Sequence, residues 1–160
     1  MQFEEIKSLI EKELPEAILG EDLDSTPTTL IIKPDSIYQL CSFLHLNENT
    51  YFDSLSCLTG LDNGEEKNSM EVIYNLYSIP FDMHLMLRVV LDRNNPLINS
   101  VSEIWKTADW HEREAYDLLG IYFNNHPDLR RILLPNDWKG YPLRKDYVEP
   151  EKYHDVKVKY

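Results

Sequence analysis

Residues 111–147 read HEREAYDLLGIYFNNHPDLRRILLPNDWKGYPLRKDY, and the two halves obey different rules. As far as Gly120 the stretch is the end of an amphipathic helix. Beyond Gly120, Pro127, Pro135 and Pro142 each remove a backbone donor and clash with the preceding turn, so no helix runs through. Yet the second half is not a linker. It carries Ile121, Tyr122, Phe123, Leu129, Ile132, Leu133, Leu134, Trp138, Tyr141, Leu143 and Tyr147. Apolar groups at this density need a surface to lie on. The chain therefore divides into a folded body, residues 1–120, and an extended proline-rich segment, residues 121–160, whose function is to bind.

The charge distribution bears on what that surface is. The formal net charge is -12 over 160 residues. That excess argues against a nucleic-acid binder, which needs surplus Lys and Arg for phosphates. From His126 to Tyr147, however, five cations (Arg130, Arg131, Lys139, Arg144, Lys145) face three carboxylates (Asp128, Asp137, Asp146), leaving -14 on the remainder. A basic aromatic strip on an acidic body suits a partner chain. It also suits folding back onto its own body, and both readings stay open.

Working outward, Ser100 to Leu119 reads as the longest helix, with an apolar stripe of Val101, Ile104, Trp105, Ala108, Ala115 and Leu119. Gly120 can take the positive φ of a C-cap. Before it, three runs read as antiparallel neighbours joined by short turns: Tyr51 to Leu61, Met70 to Ile79 and His84 to Asp92. The last alternates Leu85, Leu87, Val89 and Leu91 against His84, Met86, Arg88, Val90 and Asp92. Arg93 to Asn99, with Pro96, reads as a loop. Thr28 to Lys33 is a β-branched strand, and the acidic Gly20 to Pro27 a loop. Helices are expected over Gln2 to Leu14 and from Asp35 or Ser36 to about Leu46. The result is an α+β domain, a largely antiparallel sheet of about four strands with helices on one face. Met1–Glu5 lacks the basic start of a signal peptide, and no apolar run approaches a membrane span. Cys41 and Cys57 read as two ordinary buried thiols in a reducing compartment, and two thiols alone do not hold an iron–sulfur cluster.

Glu112 is the most informative titratable residue. It lies four residues after Ala108 and seven after Trp105, on or beside the buried stripe. A buried carboxylate must be paired. Arg113 can pair with Asp117 one turn on, which leaves Glu112 and Glu114 to seek donors. Arg130 and Arg131 follow soon after Gly120. The expectation is a carboxylate–arginine lock, made from Glu112, Arg113, Glu114, Asp117, Arg130 and Arg131, that pins the segment to the last helix. No catalytic residue, metal site or cofactor site is visible. HEREA lacks the second His that HExxH requires, having Ala115 there. The histidines lie without ligand spacing. The five glycines do not cluster into a phosphate loop.

The run Glu112-Arg113-Glu114, Asp117-Leu118-Leu119-Gly120-Ile121, His126-Pro127-Asp128-Leu129-Arg130-Arg131-Ile132-Leu133, Trp138, Gly140 and Tyr141-Pro142-Leu143-Arg144-Lys145-Asp146-Tyr147 resembles the family of the C subunit of NADH:quinone oxidoreductase, respiratory complex I. The same family includes the J subunit of the plastid NDH complex. The resemblance is specific from about Ser102 to Tyr147. It implies a non-catalytic subunit of the hydrophilic arm of a proton-translocating complex, peripheral on the cytoplasmic side of the inner membrane. Its C-terminal segment would dock on the D subunit, near a B-like subunit, by the quinone site. NADH, FMN, iron–sulfur clusters and quinone are then held by partner subunits, and membrane association is indirect. The implied interface residues are His126, Arg130, Arg131, Trp138, Tyr141, Arg144, Lys145 and Tyr147, types that often dominate interfaces. Two alternatives remain: an equivalent subunit of a membrane-bound hydrogenase or of a complex not fed by NADH, and a stand-alone acid/base enzyme using Glu112, Glu114 or Asp117. The apolar groups of the segment, suited to a partner, carry the expectation that it is not ordered in the isolated chain.

Overall fold

The structure is a computed structural model and describes residues 2–157. Its centre is a five-stranded sheet in the order β1-β2-β5-β4-β3, built from β1 (Ile18–Asp22), β2 (Thr29–Ile32), β3 (Ser54–Asp62), β4 (Ser69–Ser78) and β5 (Met83–Asp92). The β4–β5 hairpin pairs without interruption from Ser69↔Asp92 to Ser78↔Met83. This follows from the strict period-two pattern, because one register alone puts Met70, Val72, Tyr74 and Leu76 on the same side as Leu85, Leu87, Val89 and Leu91. All eight are buried. β3 pairs with β4 antiparallel, as the short turns require. β2 joins β5 in parallel.

Three helices complete the core: α1 (Phe3–Glu13), α2 (Ile37–Leu46) and α3 (Thr107–Leu119). Ile6 and Ile10 from α1, Leu40, Cys41 and Leu44 from α2, and Ala108, Ala115 and Leu119 from α3 enter one apolar cluster with the inward sheet residues. The opposite strand positions, such as Ile73, Tyr77, Met86 and Arg88, are half-buried and Val90 is exposed. Cys41 is buried as expected, but Cys57 is exposed, because the register of β3 shifts between Leu55 and Cys57.

Several expectations are corrected here. The acidic loop is shorter than read, because Ile18–Asp22 forms edge strand β1. Its pairing with β2 provides the backbone partners that a weak β former cannot advertise locally. The sheet therefore has five strands, not about four. The last helix begins at Thr107, not Ser100. Residues Val101 to Trp105 make a separate turn, with Ile104 and Trp105 N–H groups donating to Val101 O, and this turn carries Val101 and Trp105 into the core. The loop before it contains β6 (Leu97–Asn99), which pairs in parallel with β7 (Tyr122–Asn124). Ile121 and Phe123 are consequently core residues, and the segment leaves the body after Asn124. From residue 125 to 151 there is no helix or strand. A short hairpin of β8 (Lys152–Tyr153) and β9 (Val156–Lys157) follows.

Candidate functional site

Helix α3 carries four carboxylates, Asp109, Glu112, Glu114 and Asp117, and the surroundings of the last three differ. Asp117 is fully buried. Its Oδ1 accepts Arg131 Nη1 at 2.7 Å, and its Oδ2 accepts the consecutive backbone N–H groups of Ile132, Leu133 and Leu134 at 3.0, 2.7 and 2.9 Å. Burial pushes its carboxyl up, but these donors outweigh burial and hold it below the usual carboxylate range. Glu112 is equally buried but has weaker partners: Ser100 Oγ donates to Oε2 and Val101 N–H donates to Oε1 at 2.7 Å. Here burial wins, and the carboxyl is pushed up to about 7. Glu114 is exposed.

The lock is therefore formed by a different pair from the one the helix stripe suggests. Arg131 pairs with Asp117, while exposed Arg130 pairs with Asp128 at 2.9 Å. Glu112 is satisfied from the other side, by the turn before α3. Arg113 does not pair with Asp117. It lies 5.4 Å over the Trp110 ring and donates to Arg130 O and Arg131 O. A fork of N–H groups can serve two carbonyls, and Asp117 already has better-placed donors.

The segment then caps the helix. The last carbonyls of an α-helix have no partner within it. In α3, Asp117 O accepts Arg131 Nη1 at 2.9 Å, Leu118 O accepts Leu143 N–H at 3.0 Å, and Leu119 O accepts Arg144 Nε at 2.7 Å. Tyr141 lies between Arg131 and Arg144, whose guanidinium carbons are 5.3 and 5.2 Å from its ring centre. The ring rests on Gly120 at φ +75°, where a Cβ would come within 2.6 Å of it. Arg131 Nη2 also donates to Trp138 O and Gly140 O, so one guanidinium ties together both ends of the loop 131–140.

A second anchor lies at the end of β3. Asp62, 4% exposed, receives a bidentate fork from Arg93, the N–H of Gly64 and the N–H of Lys145. The Arg93 hydrogen bond is the main reason its carboxyl is held far below the usual range. Arg93 also pairs with Asp146 at 2.7 Å. Sequence reasoning missed Asp62, Arg93 and Asp146, whose only local signal is an Asp-Asn-Gly turn. Trp138 Nε1 donates to Tyr147 OH at 3.1 Å. His126 is wholly covered beneath α3.

Of the residues expected at an interface, Arg131, Tyr141, Arg144 and His126 thus contact the body itself. Beyond Asn124, the large apolar groups left exposed include Leu133 (63%), Leu143 (59%), Val148 (81%) and Val156 (65%), with Trp110 on α3 (62%). The groove between α3 and β3, where Glu114 and His111 stand, holds about 30 Å³, enough for a water. Among the described residues no group of three or more His, Cys, Asp or Glu side chains is placed to hold a metal ion.

The family model described as "Respiratory-chain NADH dehydrogenase, 30 Kd subunit" matches residues 30–153, which include both anchors. The chain is 46% identical over 143 residues to the C subunit of the NADH-quinone oxidoreductase of Chloroherpeton thalassium, covering 87% of this chain and 59% of that protein. It is 38% identical over 154 residues to the corresponding C subunit of Chlorobium phaeobacteroides, covering 95% and 92%. Among solved structures it matches "Nqo5 of the trypsin-resistant fragment (1-134)" at TM-score 0.57 and 24% identity, over 78% of this chain and 98% of that one. It matches a chain of an archaeal respiratory membrane complex, the membrane-bound sulfane sulfur reductase, at TM-score 0.71 and 23% identity, over 91% and 85%. These two likenesses concern the fold.

Proposed function

Because the chain belongs to the respiratory-chain NADH dehydrogenase 30 Kd subunit family, we propose that it is a structural subunit of the hydrophilic arm of a proton-translocating NADH:quinone oxidoreductase. In this reading the chain is not itself catalytic, and NADH, FMN, iron–sulfur clusters and quinone belong to partner subunits. It lies on the cytoplasmic side of the inner membrane, near the quinone site, against the D subunit of the complex with a B-like subunit close by. It is held there by these other chains, and no helix among the described residues is long and apolar enough to cross a membrane.

The observation that carries the reading is the way the segment is fastened. Residues 131–146 are held by Asp117, by the α3 carbonyls and by Asp62, while Leu133 and Leu143 face outward. A loop fixed from within that shows large apolar groups on its outer side is a preformed contact surface. The body, extended by β7 to Asn124, acts as the anchor, and the segment beyond it as the docking element.

The test is a tagged pull-down from gently solubilised native membranes, comparing the wild type with a chain truncated after Phe123. Recovery of a multi-subunit complex with NADH–quinone activity by the wild type alone is expected. Recovery of a complex with a nickel-ligating large subunit instead would move the chain to a hydrogenase. A wild type that comes down alone would overturn the assembly role and return attention to the α3 carboxylates as an acid/base site.

A further inference from the structure

The polar cluster at the root of the segment is used by neither anchor. Glu112 is completely buried, and among the described residues no lysine or arginine pairs with it. Its neighbours are Ser100 Oγ and Val101 N–H from the turn before α3, Asp109 on its own helix, and His126 just after β7, whose Nε2 lies 3.8 Å from Glu112 Oε2. Cys41 of α2 and Tyr74 of β4, both buried, are the other titratable groups that its charge reaches.

The hydrogen bonds settle the form of His126. Asp128 N–H donates to Nδ1 at 3.0 Å, so Nδ1 carries no proton. Nε2–H therefore donates, and its acceptor is Asp109 O at 3.1 Å, with Asp109 Oδ1 at 3.5 Å. A doubly protonated imidazole would lose the Asp128 bond. Nε2 thus stands between two acceptors, Asp109 and Glu112. The serine pair suits either form of Glu112. Ser100 Oγ lies 2.8 Å from Ser102 Oγ and either can donate, so Ser100 can give its hydrogen to a carboxylate or turn to accept one from a carboxylic acid.

We propose that Glu112 and His126 form a proton-operated latch for the segment. With Glu112 protonated, the acid is satisfied by Ser100 and Val101, and His126 stays on Asp109. When the proton leaves Glu112 for solvent, a buried negative charge is left with no lysine or arginine beside it, and this favours local opening at His126, which lets water reach the carboxylate. The base form of this protein therefore opens more readily at that point than the acid form.

The test is amide hydrogen exchange of the full chain at pH 6 and pH 8, corrected for intrinsic rates, beside a carboxyl-carbon NMR titration of the wild type. Protection across residues 126–130 is expected to fall by up to about tenfold between the two pH values, with Glu112 titrating in the same interval. Glu112→Gln is expected to hold protection level across that interval. Wild-type protection that does not change, a Glu112 carboxyl that titrates with the exposed carboxylates, or a pH response that survives Glu112→Gln would each overturn the latch. The first two readouts need no variant to fold.

Discussion

Arg131 sets Nη1 2.7 Å from Asp117 Oδ1 and 2.9 Å from the carbonyl of the same residue, so one donor neutralises a buried carboxylate and caps its helix. The other oxygen of Asp117 takes three consecutive backbone N–H groups. Asparagine fails here in either orientation, because its NH2 faces donors whichever way the amide is turned. Asp117→Asn is expected to lower stability by about 3 kcal/mol. Urea unfolding measures it, with faster exchange concentrated at Ile132 to Leu134.

Gly120 and Tyr141 form one contact. An alanine at residue 120 carries about 1 kcal/mol for its left-handed backbone, and its Cβ also meets the ring at 2.6 Å. Gly120→Ala is therefore expected to lose about 2 kcal/mol or more. In the background of Tyr141→Ala, only the backbone part of that loss is left. A double-mutant cycle by denaturant unfolding reads the difference, and strict additivity would separate the two residues.

Acid should loosen the second anchor. The folded-state carboxyl of Asp62 is held low by Arg93, so its contribution to stability is complete above the ordinary aspartate range and is lost as pH falls through the lowered value. The loss sets in below about pH 5. Asp62→Asn should start less stable at neutral pH and show a shallower decline from pH 5 to 2. Thermal melts across that range check it.

Leu133 is 63% exposed, which separates folding from docking. Leu133→Asp is expected to change the stability of the isolated chain by no more than about 0.5 kcal/mol. The same substitution should greatly reduce recovery of partner subunits in the pull-down. Equal recovery would move the docking surface elsewhere on the chain.

Much of this was legible from residues alone where the signal is local. The β4–β5 hairpin follows from alternation of Leu85, Leu87, Val89 and Leu91. The end of α3 follows from Gly120, whose φ is +75°. Burial of Glu112 follows from its place one helical turn after buried Ala108. What stayed hidden depends on parts of the chain that meet only in space. Ser100, twelve residues before Glu112, meets it through a turn that helical periodicity absorbed into the helix. Strand β1 is defined by its partner more than by its own residues. The identity of the lock depended on which carboxylate the 131–134 turn could reach with three N–H groups at once, and spacing carries no measure of that.

The capping of α3 also has a consequence for biosynthesis. Its last three carbonyls take donors from Arg131, Leu143 and Arg144, residues that leave the ribosome only after the helix itself. During translation the sheet and its helices can assemble first, while the end of α3 stays frayed and water-bound. The stretch that emerges after α3 then closes its end, so a ribosome that stalls before residue 144 leaves a nascent chain whose last helix has an unfinished end.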